Sequence, residues 1–92
     1  MTANPNEKQQ MLFVQLISSL HGAALMQMGK MKNPQTGKTE RNIEQAQLTI
    51  EMLDMLKERT KNNLTADEEK FFSTVINEVK LNFVDEKAKV TS

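Results

Sequence analysis

The chain has 92 residues, with twelve basic and twelve acidic side chains, and it contains no cysteine, tryptophan or tyrosine. A chain of this length forms one domain, so residues 1–92 are taken as a single unit. Without cysteine, a disulfide scaffold and a thiolate metal site are excluded. Balanced charge and only four aromatic side chains make a nucleic-acid-binding protein an unfavoured class, because both a basic field and stacking platforms are lacking.

The first helix is predicted over about residues 6–30. Its main apolar face, drawn at about 100° per residue, carries Leu12, Phe13, Leu16, Ile17, Leu20, Ala23, Ala24 and Met28. No charged residue occurs between Gln9 and Gly29, but polar residues interrupt this segment and no basic leader precedes it. It therefore predicts neither a transmembrane helix nor a signal peptide, and we expect a cytoplasmic protein without membrane contact.

The opposite side of the first helix also lacks charge. It carries Met11, Val14, Ser18, Gly22 and Leu25, and the small residues Ser18 and Gly22 would let another helix approach closely. Large exposed apolar patches are uncommon on soluble monomers. This face therefore predicts association with a second copy or with a different protein. A homo-oligomer is favoured, most simply a dimer, because symmetric dimers are the commonest assemblies.

A turn follows over residues 31–39, marked by Asn33-Pro34 and Thr36-Gly37. Four cations surround it and form a candidate docking patch for an acidic partner or an RNA backbone: Lys30, Lys32, Lys38 and Arg41. The simpler interpretation is a solvated loop, because the patch has no aromatic neighbours. Gly37-Lys38-Thr39 does not make a phosphate-binding loop, since the first glycine and the preceding strand of that motif are missing.

The second and third helices are predicted over about residues 40–60 and 65–86. Thr39 is the expected cap of the second helix, whose apolar seam of Ile43, Ala46, Ile50 and Leu53 is widened by Leu48, Met52, Met55 and Leu56. Asn62 suits a left-handed turn, and Thr65 with Glu68 makes a capping box. We expect an all-α, three-helix, up-down-up bundle that oligomerises through the first helix, with flexible tails at residues 1–5 and 87–92.

Three segments of the chain together resemble a bacterial family of domains of unknown function, number 1844. They are NPQTGKTE (33–40), IEQAQLTIEMLDMLKERTKNNLTADEE (43–69) and KLNFV (80–84). The resemblance covers about residues 11–84 and is most specific over Leu53–Glu69, with Asn62 standing where the family usually has glycine. It implies a small bacterial helical protein and no particular activity.

The sequence shows no catalytic apparatus, metal site or cofactor motif. His21 is the single histidine, and no orienting acid or metal-ligand spacing includes it. We therefore expect a non-enzymatic oligomeric protein-interaction or adaptor domain. The alternative is an RNA- or ribosome-associated factor that uses the basic turn 30–41; an enzyme subunit is a third, less favoured class.

Overall fold

The computed structural model describes the backbone of residues 5–91 and the side chains of residues 6–89. Three helices form in this part of the chain: α1 (Pro5–Gln27), α2 (Ile43–Arg59) and α3 (Ala66–Thr91). Each helix packs against the other two, and residues 5–91 include no strand. The predicted all-α three-helix bundle is thereby confirmed.

Contacts along the bundle show that α1 and α3 run parallel, with α2 antiparallel to both. Phe13 lies against Phe72 near one end, with ring centroids 5.5 Å apart in an edge-to-face arrangement. His21 reaches Glu78 further along, and Lys30 reaches Asp85 near the other end. The topology is therefore up-down-up, as the short connections predicted.

The core is one cluster in which each helix contributes apolar residues spaced three and four apart, as one helical face requires. Its buried members are Ile17, Ala24 and Met28 from α1, Ala46, Ile50 and Leu53 from α2, and Phe72, Val75, Ile76 and Val79 from α3. Phe13, Leu20, Leu56, Leu64, Phe71 and Phe83 pack at its edge. The bundle measures 49 × 28 × 16 Å, and its described helices meet around this one cluster.

The α1 face is narrower than its sequence predicted. Leu12 and Leu16 belong to the predicted main apolar face, yet both are exposed, while Ile17 beside them is fully buried. The reason is geometric, because α1 has only two neighbours and these cover one stripe of its surface. Leu12 and Leu16 lie on the flank of that stripe.

The C-terminal end of α1 differs from the prediction, and local hydrogen bonds explain its position. α1 ends at Gln27 because Gly29 takes a φ of 85°, and the amides of Gly29 and Lys30 donate to the carbonyls of Met26 and Leu25. These two bonds close the helix in a Schellman motif.

The predicted cap of α2 was wrong by three residues. Asn42, not Thr39, is the N-cap, and its side chain accepts a hydrogen bond of 3.0 Å from the amide of Gln45. Asparagine is as good a cap as serine or aspartate and better than threonine, so the later position is favoured.

The turn before α3 and the start of α3 are as predicted, but the helix ends later than predicted. The Thr65 amide donates to Glu68 Oε1 at 2.8 Å, the Glu68 amide donates to Thr65 Oγ1 at 3.1 Å, and Asn62 takes a φ of 69°. The helix runs to Thr91 rather than 86, so most of the predicted tail 87–92 is helical. Residues 1–4 and 92 lie outside the described part of the chain.

The capping box gives a test of the third helix. Replacing Thr65→Ala removes the acceptor for the Glu68 amide and should lower the free energy of unfolding by about 1 kcal/mol. Urea denaturation followed by circular dichroism measures this. Thr74→Ala is the matched control, because Thr74 is exposed within α3 and its hydroxyl only donates back to the Lys70 carbonyl. An equal loss in both variants would contradict a capping role for Thr65.

Candidate functional site

Two polar contacts define which sides of α2 face its neighbours. Thr49 Oγ1 donates to Gln27 Oε1 at 2.7 Å, so the Thr49 side faces α1. Asp54 Oδ1 lies 2.9 Å from Lys80 Nζ, so the Asp54 side faces α3. At about 100° per residue, a further side of α2 remains, next to the α1 side and turned away from α3.

That remaining side of α2 is apolar. Leu48, Met52 and Met55 lie on it, and all three are exposed. They are separate from the buried stripe of α2, although the spacing of each set is three or four residues. The sequence predicted that these residues widen the seam of α2, but in the described structure they lie outside the core and are exposed.

On α1 the exposed leucines point in the same direction. Gln27 marks the side of α1 that faces α2, and His21, with Nε2 3.4 Å from Glu78 Oε1, marks the side that faces α3. Leu12 and Leu16 fall on the flank beyond the α2 side, away from α3. We call these five residues the α1–α2 face: Leu12, Leu16, Leu48, Met52 and Met55.

The α1–α2 face has little charge around it. On α1 no charged residue occurs between Gln9 and Gly29. On α2 the charges closest to the apolar strip are Glu44 at its N-terminal end, Arg59 at its C-terminal end and Glu51 along its outer edge, all exposed. An apolar centre with charges only at its rim is the usual make-up of a protein interface.

The association face predicted from sequence lies on a different side of α1. Met11 and Ser18 are exposed, Val14 and Leu25 are half-buried on the flank beside His21 that turns toward α3, and Gly22 lies further round the helix. A Cβ added at Gly22 would meet nothing within 4 Å, so the close approach it offers is not used inside this chain. Self-association through these five residues stays a prediction.

The four cations of the basic turn do not form one free patch. Lys30 Nζ lies 3.0 Å from Glu86 Oε2 and 3.2 Å from Asp85 Oδ2. Arg41 donates from Nη1 to Glu86 Oε1 at 2.9 Å and from Nη2 to the Glu86 carbonyl. Lys32 and Lys38 are exposed in the turn. The predicted patch is therefore divided between two cations held by α3 and two that face water.

Glu86 is the centre of this ion cluster. Its side chain is only 6% exposed, and Lys89 Nζ adds a third contact at 2.8 Å from Oε2. Hydrogen bonds from Lys89 and Lys30 lower the pKa of Glu86 to about 2, and the hydrogen bond to Glu86, followed by that to Asp85, raises the pKa of Lys30 above 10.5. The cluster fastens the α1–α2 connection to α3, because Lys30 and Arg41 stand at the two ends of that connection.

Sequence reasoning did not single out Glu86, although a signal was present. The buried stripe of α3 runs through Val79 and Phe83, and Glu86 takes the next position at a spacing of three. An acidic residue in a buried register needs a cationic partner. Which cations supply it depends on the tertiary fold.

A cleft of about 550 Å³ lies between the C-terminal end of α2 and the start of α3. Lys57, Lys61, Glu58 and Glu69 line it above Phe72, so charges of both signs are mixed around it. Over the described side chains, no group of three or more His, Asp or Glu residues is arranged to hold a metal ion. None of the helices described here has the length and hydropathy needed to cross a membrane.

Comparison with protein families identifies the chain. A family described as a domain of unknown function, DUF1844, matches residues 10–86. The chain belongs to this family. The matched region of the DUF1844 domain includes the whole α1–α2 face and ends at Glu86. No curated protein and no solved structure gives a significant match.

The Glu86 cluster makes the free energy of unfolding depend on pH in the acid range. A carboxylate whose pKa falls from its usual 4.5 to about 2 on folding stabilises the folded state above pH 4.5. That stabilisation is lost as the pH falls from about 4.5 to about 2. Glu86→Gln should therefore lower the urea midpoint at pH 7, and its difference from the wild type should shrink across this window.

Glu40→Gln is the matched control, because Glu40 is an exposed carboxylate in the same connection. Its urea midpoint should stay near that of the wild type at each pH. A Glu86→Gln deficit that is the same at pH 7 and pH 2.5 would contradict a charged role for Glu86.

Proposed function

We propose that this DUF1844 domain is a non-enzymatic protein-interaction domain that works as a homo-oligomer and associates through the α1–α2 face. The observation that carries the proposal is the exposure of five large apolar side chains on one side of two neighbouring helices. Single exposed apolar residues are ordinary, but several of them on one side of two neighbouring helices, with few charges between them, favour a binding surface.

The energy of covering this face is in the range that dimerisation needs. Full burial of a leucine or methionine contributes about 1.5–3 kcal/mol, and these side chains are roughly half exposed in one chain, so each offers about 1 kcal/mol. Ten such side chains across a symmetric pair offer roughly 10 kcal/mol. Association costs about 4–15 kcal/mol, so we expect a reversible dimer whose population depends on concentration.

The alternative, an RNA- or ribosome-associated factor acting through the basic turn, has less support. Lys30 and Arg41 are engaged with Glu86, which leaves Lys32 and Lys38 to meet a polyanion. Affinity and its salt dependence both grow with the number of phosphate contacts, so two contacts give only a weak affinity. Binding to RNA that weakens when Lys32 and Lys38 are both replaced by glutamine would favour this alternative.

The proposed function predicts a change of mass on mutation. The wild type should elute as a dimer at high concentration and dissociate on dilution, measured by light scattering after size exclusion. Leu16→Arg and Met55→Arg should each give a folded monomer, because both side chains are already exposed and a buried arginine cannot be accommodated in an apolar interface.

Two variants serve as controls. Leu81 is 74% exposed on α3, so Leu81→Arg introduces the same charge away from the face and should leave the dimer intact. Ser18→Arg introduces the same charge on the α1 face that was predicted from the sequence. A monomeric wild type at every concentration would contradict the proposed function, and dissociation caused by Ser18→Arg alone would transfer the interface to the sequence-predicted face.

A further inference from the structure

The exposed strip of α2 has the spacing of a second helix-packing seam. Leu48, Met52, Met55 and Arg59 follow one another at intervals of four, three and four residues. This is the spacing with which a helix presents one side to another helix over its whole length. The buried stripe through Ala46, Ile50 and Leu53 packs within the chain, whereas the three described helices leave Leu48, Met52 and Met55 of the second seam exposed.

The strip is also self-complementary when it is reversed. A two-fold axis brings the same surface of two copies together, so each residue must suit the residue at the mirrored position. Around a midpoint next to Met52, Leu48 mirrors Met55 and Glu44 mirrors Arg59. Apolar residues thus meet apolar residues, and the acidic end meets the basic end.

We propose that a second copy of this chain covers the α1–α2 face, with the two α2 helices antiparallel across a two-fold axis between Glu51 and Met52. Leu48 then packs against Met55 of the partner subunit, and Glu44 pairs with Arg59 of the partner subunit. This inference rests on the proposed function and adds the occupant, the orientation and the register. Glu51 stays at the outer rim, in contact with water.

The charge distribution favours packing of α2 on α2 of the second copy over packing of α2 on α1 of the second copy. A two-fold axis along the bundle would lay α2 on α1 of the second copy. Between Gln9 and Gly29, α1 carries no charge, so it would give Glu44 and Arg59 no partner over most of its length. In the antiparallel α2 pair, Glu44 of each copy meets Arg59 of the other, so two symmetric ion pairs form.

Interface size requires that α1 also takes part. α2 has 17 residues and is about 25 Å long, so one helix about 10 Å wide presents roughly 250 Å² in projection. Stable interfaces bury about 800 Å² on each partner. Leu12 and Leu16 lie on the adjoining flank of α1, beyond the Met55 end of the strip, and extend the apolar surface onto a second helix.

The register can be read by cross-linking, because the chain contains no cysteine and each introduced thiol is unique. Met52→Cys should form a disulfide with itself under mild oxidation. Leu48→Cys should not, because two copies of position 48 stand about 10 Å apart along an antiparallel pair, beyond the reach of a disulfide. An equal mixture of Leu48→Cys and Met55→Cys chains should cross-link.

The charged ends give a second reading of the register. Glu44→Arg and Arg59→Glu should each weaken dimerisation roughly tenfold, because each places like charges together at two symmetric sites. The double variant Glu44→Arg/Arg59→Glu should recover most of the wild-type affinity. Sedimentation equilibrium measures the three dissociation constants, and circular dichroism checks that each variant is folded.

The outcomes separate this inference from the proposed function. The antiparallel register is overturned if the wild type is a dimer but only the Leu48→Cys variant cross-links and the charge-reversed double variant shows no recovery. The proposed function would still stand in that case. A wild type that is monomeric at all concentrations overturns both. Cross-linking at Met52→Cys and in the mixture, together with recovery in the double variant, supports the register.

Discussion

A helix in a three-helix bundle touches two neighbours and can bury only one stripe of its surface, and the other features of this chain follow from that constraint. The buried stripes meet at Ile17, Leu53 and Phe72, each with no exposed surface. Apolar residues outside the stripes remain in water unless another chain covers them. α1 and α2 both carry such residues, and the packing of the bundle turns them to the same side.

The Glu86 cluster holds the opposite end of the bundle from the Phe13–Phe72 pair. It replaces apolar packing there with a buried carboxylate that receives Lys30, Arg41 and Lys89. Since Lys30 follows α1 and Arg41 precedes α2, the cluster fixes the long connection between them on α3. Two of the four cations that the sequence predicted as a docking patch, Lys30 and Arg41, thus hold the connection on α3.

Local signals in the sequence predicted the fold because they act over a few residues. The Thr65–Glu68 capping box and the left-handed Asn62 are complete within eight residues, and both occur as predicted. Periodicity predicted three helices, but not the rotation of each helix about its axis. Leu16 and Ile17 are neighbours on one broad apolar face, and only the packing of three helices decides that Ile17 is buried.

The candidate site was harder to predict for the same reason. The sequence showed that α1 and α2 have more apolar surface than one core needs, and it placed the surplus of α1 around Ser18 and Gly22. The structure also exposes Leu12 and Leu16, on the flank of α1 that adjoins α2, where Leu48, Met52 and Met55 are exposed as well. Likewise, the pairing of Arg41 with Glu86 spans 45 residues, and no local pattern specifies it.

Methionine oxidation tests most directly whether the α1–α2 face is an interface. Met31, Met52 and Met55 have matched exposures of 46%, 43% and 47% in a single chain, and Met31 lies in the turn outside the face. At protein concentrations that favour the dimer, mild peroxide followed by mass spectrometry should show Met52 and Met55 protected, and dilution should remove the protection while Met31 reacts equally throughout. Equal reaction of all three methionines at every concentration, or protection of Met11 in place of Met52 and Met55, would contradict the α1–α2 face as the interface.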